Sequence, residues 1–234
     1  MSRTDRVVDG ITRMILDGEL RAGDRLPVEK DLAAALDVSR GSLREGVRAL
    51  EALGVLEARQ GAGTYVTSLD PSLLVGPLGM VVELQAAGHA LPVHEVRRTL
   101  ETEAAGLAAR RADDHAASSA LAAARAALDD AAGVLASGDV DHERLLEADI
   151  AFHRALADAA GNPVLAALVE ALAGRTARHR LWRGLTDDGA DARTQREHEA
   201  VLDAVVAGDV ERARVRMAAH LLEVEDFLRR SDDA

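Results

Sequence analysis

Apolar residues recur along this chain at helical spacing for most of its length. The first such pattern is Val7, Val8, Ile11, Met14, Ile15 and Leu20, which predicts a helix over residues 6–20. Arg21 to Pro27 reads as a turn, and a second helix is predicted from Val28 to about Leu36. Asp37-Val38-Ser39 breaks it, and Ser39 is suited to cap a third helix running from Arg40 to about Leu53. Gly54 stands where a helix end favours a left-handed residue. Two β-prone runs follow, Val55–Arg59 and Thr64–Thr67, around the Gly-rich tip Gln60–Gly63. That is a hairpin signal. The first ~67 residues therefore predict helix, helix, helix, hairpin.

Asp70-Pro71 begins a stretch of Ala- and Leu-rich helical periodicity with no further β-prone run. Breaks are expected near Gly88–Pro92, Ala112–Asp114, Ser137–Asp139, Gly161–Pro163, Asp187–Gly189 and Gly208-Asp209. They imply six or seven helices in an antiparallel bundle. The expected organisation is a DNA-binding domain over residues 1–69 and an all-helical domain over 70–234, a mainly α protein.

Composition sharpens this picture. Of 234 residues, 48% are hydrophobic but only 2% are aromatic, so the core must be aliphatic. The absence of cysteine excludes disulfides and thiolate chemistry. No run approaches 18 apolar residues and the N-terminus is charged, so the expectation is a cytoplasmic protein with no membrane partner. The net charge of −12 argues at first against nucleic acid, but it is unevenly spread. Residues 1–70 hold ten basic and twelve acidic side chains, the remainder eighteen and twenty-eight. All basic side chains except Lys30 are arginine, the better fork for guanine or phosphate.

The second and third predicted helices form a helix-turn-helix candidate. Leu43, Val47 and Leu50 make its buried stripe, and Arg40, Arg44 and Arg48 make an adjacent outward row. Such a helix fits the DNA major groove. Gly61 and Gly63 would let the hairpin tip approach phosphate or the minor groove closely. The arginine row by itself would equally suit a solvated surface helix.

The longer string resolves that choice. Gly23-Asp24-Arg25-Leu26-Pro27, Asp31-Leu32-Ala33, Val38-Ser39-Arg40, Arg44-Glu45, Leu50-Glu51, Gly54 and Gly61-x-Gly63-Thr64-Tyr65-Val66 resemble the N-terminal domain of the GntR family of bacterial transcriptional regulators. The resemblance implies a winged helix-turn-helix in which Arg40 and Arg44 meet operator bases or phosphates and Gly63 nears the minor groove. The candidate DNA set is Lys30, Ser39, Arg40, Ser42, Arg44, Arg48, Gly61 and Gly63. The chain departs from the family pattern at Val28-Glu29-Lys30 and at Gly41, which bears on which operator is read.

A second constellation lies in the helical part. Asp149 and His153 are i, i+4 on a face that also carries Leu145, Phe152 and Leu156. His198 shares a face with Val201, Leu202 and Val205, and His220 with Met217, Leu221 and Val224. Both histidines lie eleven residues from Asp209, so an antiparallel pair of helices would place them level. One carboxylate and three imidazoles facing inward suit a divalent transition metal, zinc first, with nickel, manganese or iron as alternatives. A histidine on an apolar face is more often a satisfied core residue; here three of eight share that placement. The other five (His89, His94, His115, His142 and His179) are expected on the surface or in linkers, and Glu197 and Glu147 in solvent.

From ~71 to ~229 the chain resembles the FCD effector domain of the FadR subfamily, through Glu95-Val96-Arg97-Arg98-x-x-Glu101, Asp149-x-x-Phe152-His153, Asn162-Pro163, Glu197-His198, Gly208-Asp209 and Met217-x-x-His220-Leu221. The resemblance implies that Asp149, His153, His198 and His220 bind the ion and that Arg97 meets the carboxylate of a small organic-acid effector. Arg98 is expected in solvent. The whole reading is a homodimeric regulator, a repressor by preference, on an inverted-repeat operator in double-stranded DNA. The rivals are a metalloenzyme using the Asp/His cluster, a regulator that senses the metal itself, and a structural ion.

Overall fold

A computed structural model describes residues 2–86, 90–138, 140–173 and 176–232. The chain divides into two compact units, Met1–Pro77 and Leu78–Ala234. The first takes in residues 70–77, which the sequence pattern assigned to the helical part.

The first unit opens with α1 (Arg3–Leu16), whose start is fixed by reciprocal bonds between Ser2 and Asp5. Next come α2 (Glu29–Ala35) and α3 (Arg40–Ala52). Ser39 caps α3 by accepting from the Ser42 amide, as the sequence predicted. Gly54 ends the segment at φ +74°, the left-handed position. Strands β1 (Leu56–Arg59) and β2 (Gly63–Val66) pair antiparallel, Leu56 opposite Val66 and Arg59 opposite Gly63. The core is aliphatic: Val7, Ile11, Leu32, Leu43, Leu50, Leu56 and Val66 are buried, with Val47 half-buried against them. A short 3-10 helix, Pro71–Leu74, capped by Asp70, leads into α4 (Val75–Ala86).

α1 lies so close to α3 that only glycine fits at position 46. A Cβ there would stand 2.5 Å from Val7 Cγ1 and 3.4 Å from the Thr4 carbonyl. Gly46→Ala is therefore expected to destabilise the first unit by about 1–3 kcal/mol through overpacking. Denaturant unfolding of the purified variant checks this, and an unchanged midpoint would show that the two helices can slide apart freely.

The second unit contains α5 (Ala90–Arg110), α6 (His115–Ala136), α7 (His142–Ala159), α8 (Pro163–Ala173), α9 (Ala177–Thr186), α10 (Ala190–Val206) and α11 (Val210–Asp232). With α4, eight α-helices follow residue 70 among the described residues, one more than the upper expectation. The extra break separates α8 from α9. Its sequence mark is Gly174, which lies outside the described residues, as does His89. Alanines 105, 108, 124 and 213 let these helices approach closely around Phe152, Leu156, Leu202, Met217 and Leu221. Among the described residues no helix is long and apolar enough to cross a membrane.

Candidate functional site

On the first unit, α3 presents Arg40, Arg44 and Arg48 to solvent, and Lys30 is exposed on α2. Leu43 and Leu50 turn inward, so the predicted separation of core stripe and arginine row holds. Arg44 is held by Glu29: Nε donates to Oε1 at 3.0 Å and Nη2 to Oε2 at 3.0 Å. These bonds pull the Glu29 carboxyl below the usual carboxylate range. In the wing, Gly61 and Gly63 both take positive φ, +73° and +110°. A Cβ at Gly63 would meet Arg25 Nε at 2.7 Å, so the glycine makes room for that arginine. Arg59 lies over the Tyr65 ring, 4.2 Å from its centroid, and pairs with Glu57. Arg25, Glu29 and Arg59 were absent from the sequence-derived set because Arg25 meets the wing at Gly63, Glu29 reaches across from α2 to α3 and Arg59 reaches Tyr65 on the opposite strand, contacts that no single periodic segment displays.

On the second unit, α7 supplies Asp149 and His153, α10 supplies His198, and α11 supplies His220. The four are brought together, with one donor atom from each within 4.8 Å of all the others. His198 Nε2 lies 3.1 Å from His220 Nε2, level as the spacing from Asp209 predicted. Asp149 Oδ1 stands 3.6 Å from His198 Nε2 and 3.7 Å from His153 Nε2. Ligands around one ion at bond lengths of about 2.0–2.2 Å would be spaced ~3–4 Å apart.

The surroundings prepare these donors. His220 Nδ1–H donates to Glu197 Oε2 at 2.8 Å, which turns the Nε2 lone pair inward. His153 has Glu101 Oε2 against its Nδ1, and its buried Nε2 makes no hydrogen bond among the described residues. The His198 ring stacks on Phe152, centroids 4.3 Å apart. Burial pushes the pKa of all three imidazoles down, and for His198 and His220 the neighbouring imidazoles add to it. Neutral imidazoles are the metal-binding form. One carboxylate and three buried imidazoles with converging donor atoms fit a divalent ion.

Three buried arginines flank the cluster. Arg97, fully buried, pairs with Glu101 and donates from Nη1 to Thr176 Oγ1 at 3.2 Å. Burial by itself would raise the Glu101 pKa; the Arg97 charge together with the contacts from His153 outweighs it and keeps the carboxyl ionised. Arg180 pairs with Asp149 Oδ2 and donates to the Ala173 carbonyl at 2.5 Å. Arg183 donates to Thr194 Oγ1 at 3.3 Å. Arg180, Arg183 and Thr194 line a cavity of about 50 Å³ that also touches Asp149, His198 and His220. Arg97 is not among the residues lining this cavity; it pairs with Glu101, which also contacts His153.

Several expectations about neighbouring residues need correction. Glu197, expected in solvent, is the partner of His220. Arg98, also expected in solvent, is two-thirds covered and pairs with the buried Glu225 at 2.8 Å. His94, expected on the surface, is buried. His142 is half-buried and bonded to Asp191 at 2.8 Å, whereas His115 is exposed. The side chain of His179 lies outside the described residues. Local periodicity missed Glu197, Arg98 and His142 because the partner of each comes from another helix.

Comparison with known proteins fits both units. Residues 3–66 match the model of the bacterial regulatory proteins of the gntR family, and residues 93–223 match the FCD domain. The Bacillus subtilis transcriptional regulator LutR is 36% identical over 220 residues, covering 92% of this chain and 96% of LutR. The chain belongs to the GntR family. Its relatives there include the galactonate operon transcriptional repressor of Escherichia coli K12, 31% identical over 213 residues, covering 88% of this chain and 87% of the repressor. A Streptococcus agalactiae GntR structure aligns with a TM-score of 0.68 at 26% identity, over 95% of this chain and 99% of that one. These GntR-family relatives are transcriptional regulators, so the metalloenzyme alternative falls. The first unit is thus a DNA-binding winged helix-turn-helix, and the FCD domain of the second implies a small-molecule effector.

Proposed function

We propose that this GntR-family protein is a repressor whose operator affinity is set by a small organic acid bound beside a divalent transition metal. Asp149, His153, His198 and His220 hold the metal. The observation that carries this reading is the convergence of their four donor atoms within 4.8 Å, next to a cavity walled by Arg180 and Arg183. Four protein ligands leave room for an effector oxygen on a metal that accepts five or six. The carboxylate faces the arginine wall, with Arg97 supporting the site through Glu101. The relative from the galactonate operon favours a hydroxycarboxylate, the chemical class of galactonate.

Operator contacts come from Lys30, Ser39, Arg40, Ser42, Arg44, Arg48, Gly61 and Gly63, one α3 per half-site of an inverted repeat bound by a homodimer. Ser39 and Ser42 act there mainly by fixing the start of α3. By linkage, the acid must bind the DNA-free and DNA-bound forms unequally.

The test is a thermal-shift screen of organic acids on metal-stripped and zinc-reloaded protein, followed by operator binding. An acid at 100 times its Kd is expected to stabilise the reloaded protein by about 2.7 kcal/mol and to weaken its DNA binding. Equal shifts in the stripped protein would detach the acid from the metal. A metal that alone controls DNA binding would favour the metal-sensing alternative.

A further inference from the structure

The recognition helix presents an arginine that is already half engaged. Among the three arginines of its outward row, Arg44 forms a bidentate ion pair. Its partner, Glu29, is the first residue of α2, the preceding helix. Nε lies 3.0 and 3.3 Å from the two carboxylate oxygens, and Nη2 lies 3.0 Å from Oε2. These bonds occupy the side edge of the guanidinium and leave the end fork, Nη1 with the second hydrogen of Nη2. A fork of this kind is what meets guanine O6 and N7. Both side chains remain at least half exposed, 65% for Arg44 and 50% for Glu29, so the end fork stays open to a duplex. Glu29 itself sits in the first turn of α2, where the helix dipole favours a carboxylate.

We propose that Glu29 is a positioning residue that turns Arg44 from a phosphate anchor into a base reader. This rests on the DNA-reading role proposed above for Arg44. A lone arginine on an exposed helix can swing to the nearest phosphate, a contact that carries no sequence information. Clamped along one edge by a carboxylate, it loses that freedom. The pair is also electrically neutral, so it releases no counterion and gains nothing from non-specific duplex. Glu29 thereby lowers the affinity for DNA in general and concentrates Arg44 on one base pair per half-site. The short, rigid reach from the start of α2 to the second turn of α3 is what the tight turn at Asp37 makes available; Asp37 itself sits at φ +50°.

The experiment uses the full-length protein and a duplex enriched by the wild type from a randomised oligonucleotide library. Binding of that duplex, of all its single-base-pair variants and of poly(dI-dC) is measured for wild type, Glu29→Gln, Arg44→Ala and the double variant. Glu29→Gln is expected to lose roughly ten-fold of discrimination at one base pair per half-site. That base pair is the one Arg44→Ala flattens. The same Glu29→Gln variant should bind poly(dI-dC) more tightly, with a salt dependence steeper by about 0.9 per protomer. On the Arg44→Ala background it should change no position of the map. A Glu29→Gln protein with wild-type discrimination, or one that loses affinity equally at every position, overturns the proposal while leaving Arg44 a reader. If Arg44→Ala flattens no position, the reading of Arg44 fails and the role of Glu29 fails with it.

Discussion

His198→Ala and His220→Ala should each empty the second unit of metal and abolish the response to organic acids. Each substitution removes one of four converging donors and leaves a hole in the core, since both side chains are only 3% exposed. Metal content after dialysis, read by mass spectrometry, and zinc titration calorimetry check this. The loss must exceed that of Glu197→Gln, which keeps every ligand but weakens the bond that orients His220. An orienting partner of this kind is worth about 10–100-fold in metal affinity. The order His220→Ala below Glu197→Gln below wild type is the signature of a ligand and its support. Full metal occupancy in both histidine variants would remove the proposed centre and leave four packed polar residues in need of another explanation.

The second large effect is one of stability. Glu101→Ala strands the Arg97 guanidinium, which is fully buried and otherwise bonded to Thr176. Breaking a buried ion pair from one side costs about 3–5 kcal/mol, because an uncompensated charge stays in the core. Replacing both partners, Glu101→Leu with Arg97→Met, should recover most of that loss, since the desolvation penalty of both charges disappears with them. Denaturant unfolding of the metal-free protein measures the cycle. A Glu101→Ala protein within about 1 kcal/mol of wild type would mean that water reaches Arg97 and that the pair is not the sealed element its burial describes. The same cycle separates stability from function: the double variant should fold yet respond poorly to effector, because Glu101 also supports His153.

Much of the architecture was legible before any coordinates. Ser39 before a periodic run, Gly54 after it and the glycines of the hairpin tip carry φ, ψ and capping preferences that act within a few residues. The equal distances of His198 and His220 from Gly208-Asp209 gave their common height, since helical rise is fixed and the turn is short. The additional helix, α9, escaped because Thr176 at its start makes no side-chain cap and no proline precedes it as at Pro163.

The amino-acid order alone determined all but one of the helical segments, where the wing turns and that His153, His198 and His220 face inward, consequences of backbone geometry within a turn or two. Packing alone decided that Arg180 on α9 meets Asp149 on α7, that Glu197 reaches across to His220 rather than into solvent, and that Glu29 takes one edge of Arg44. Each of those pairings depends on the rotation and separation of two helices about their own axes. That is fixed by how the alanine and leucine faces interlock over the whole unit, a property no local window of the chain contains.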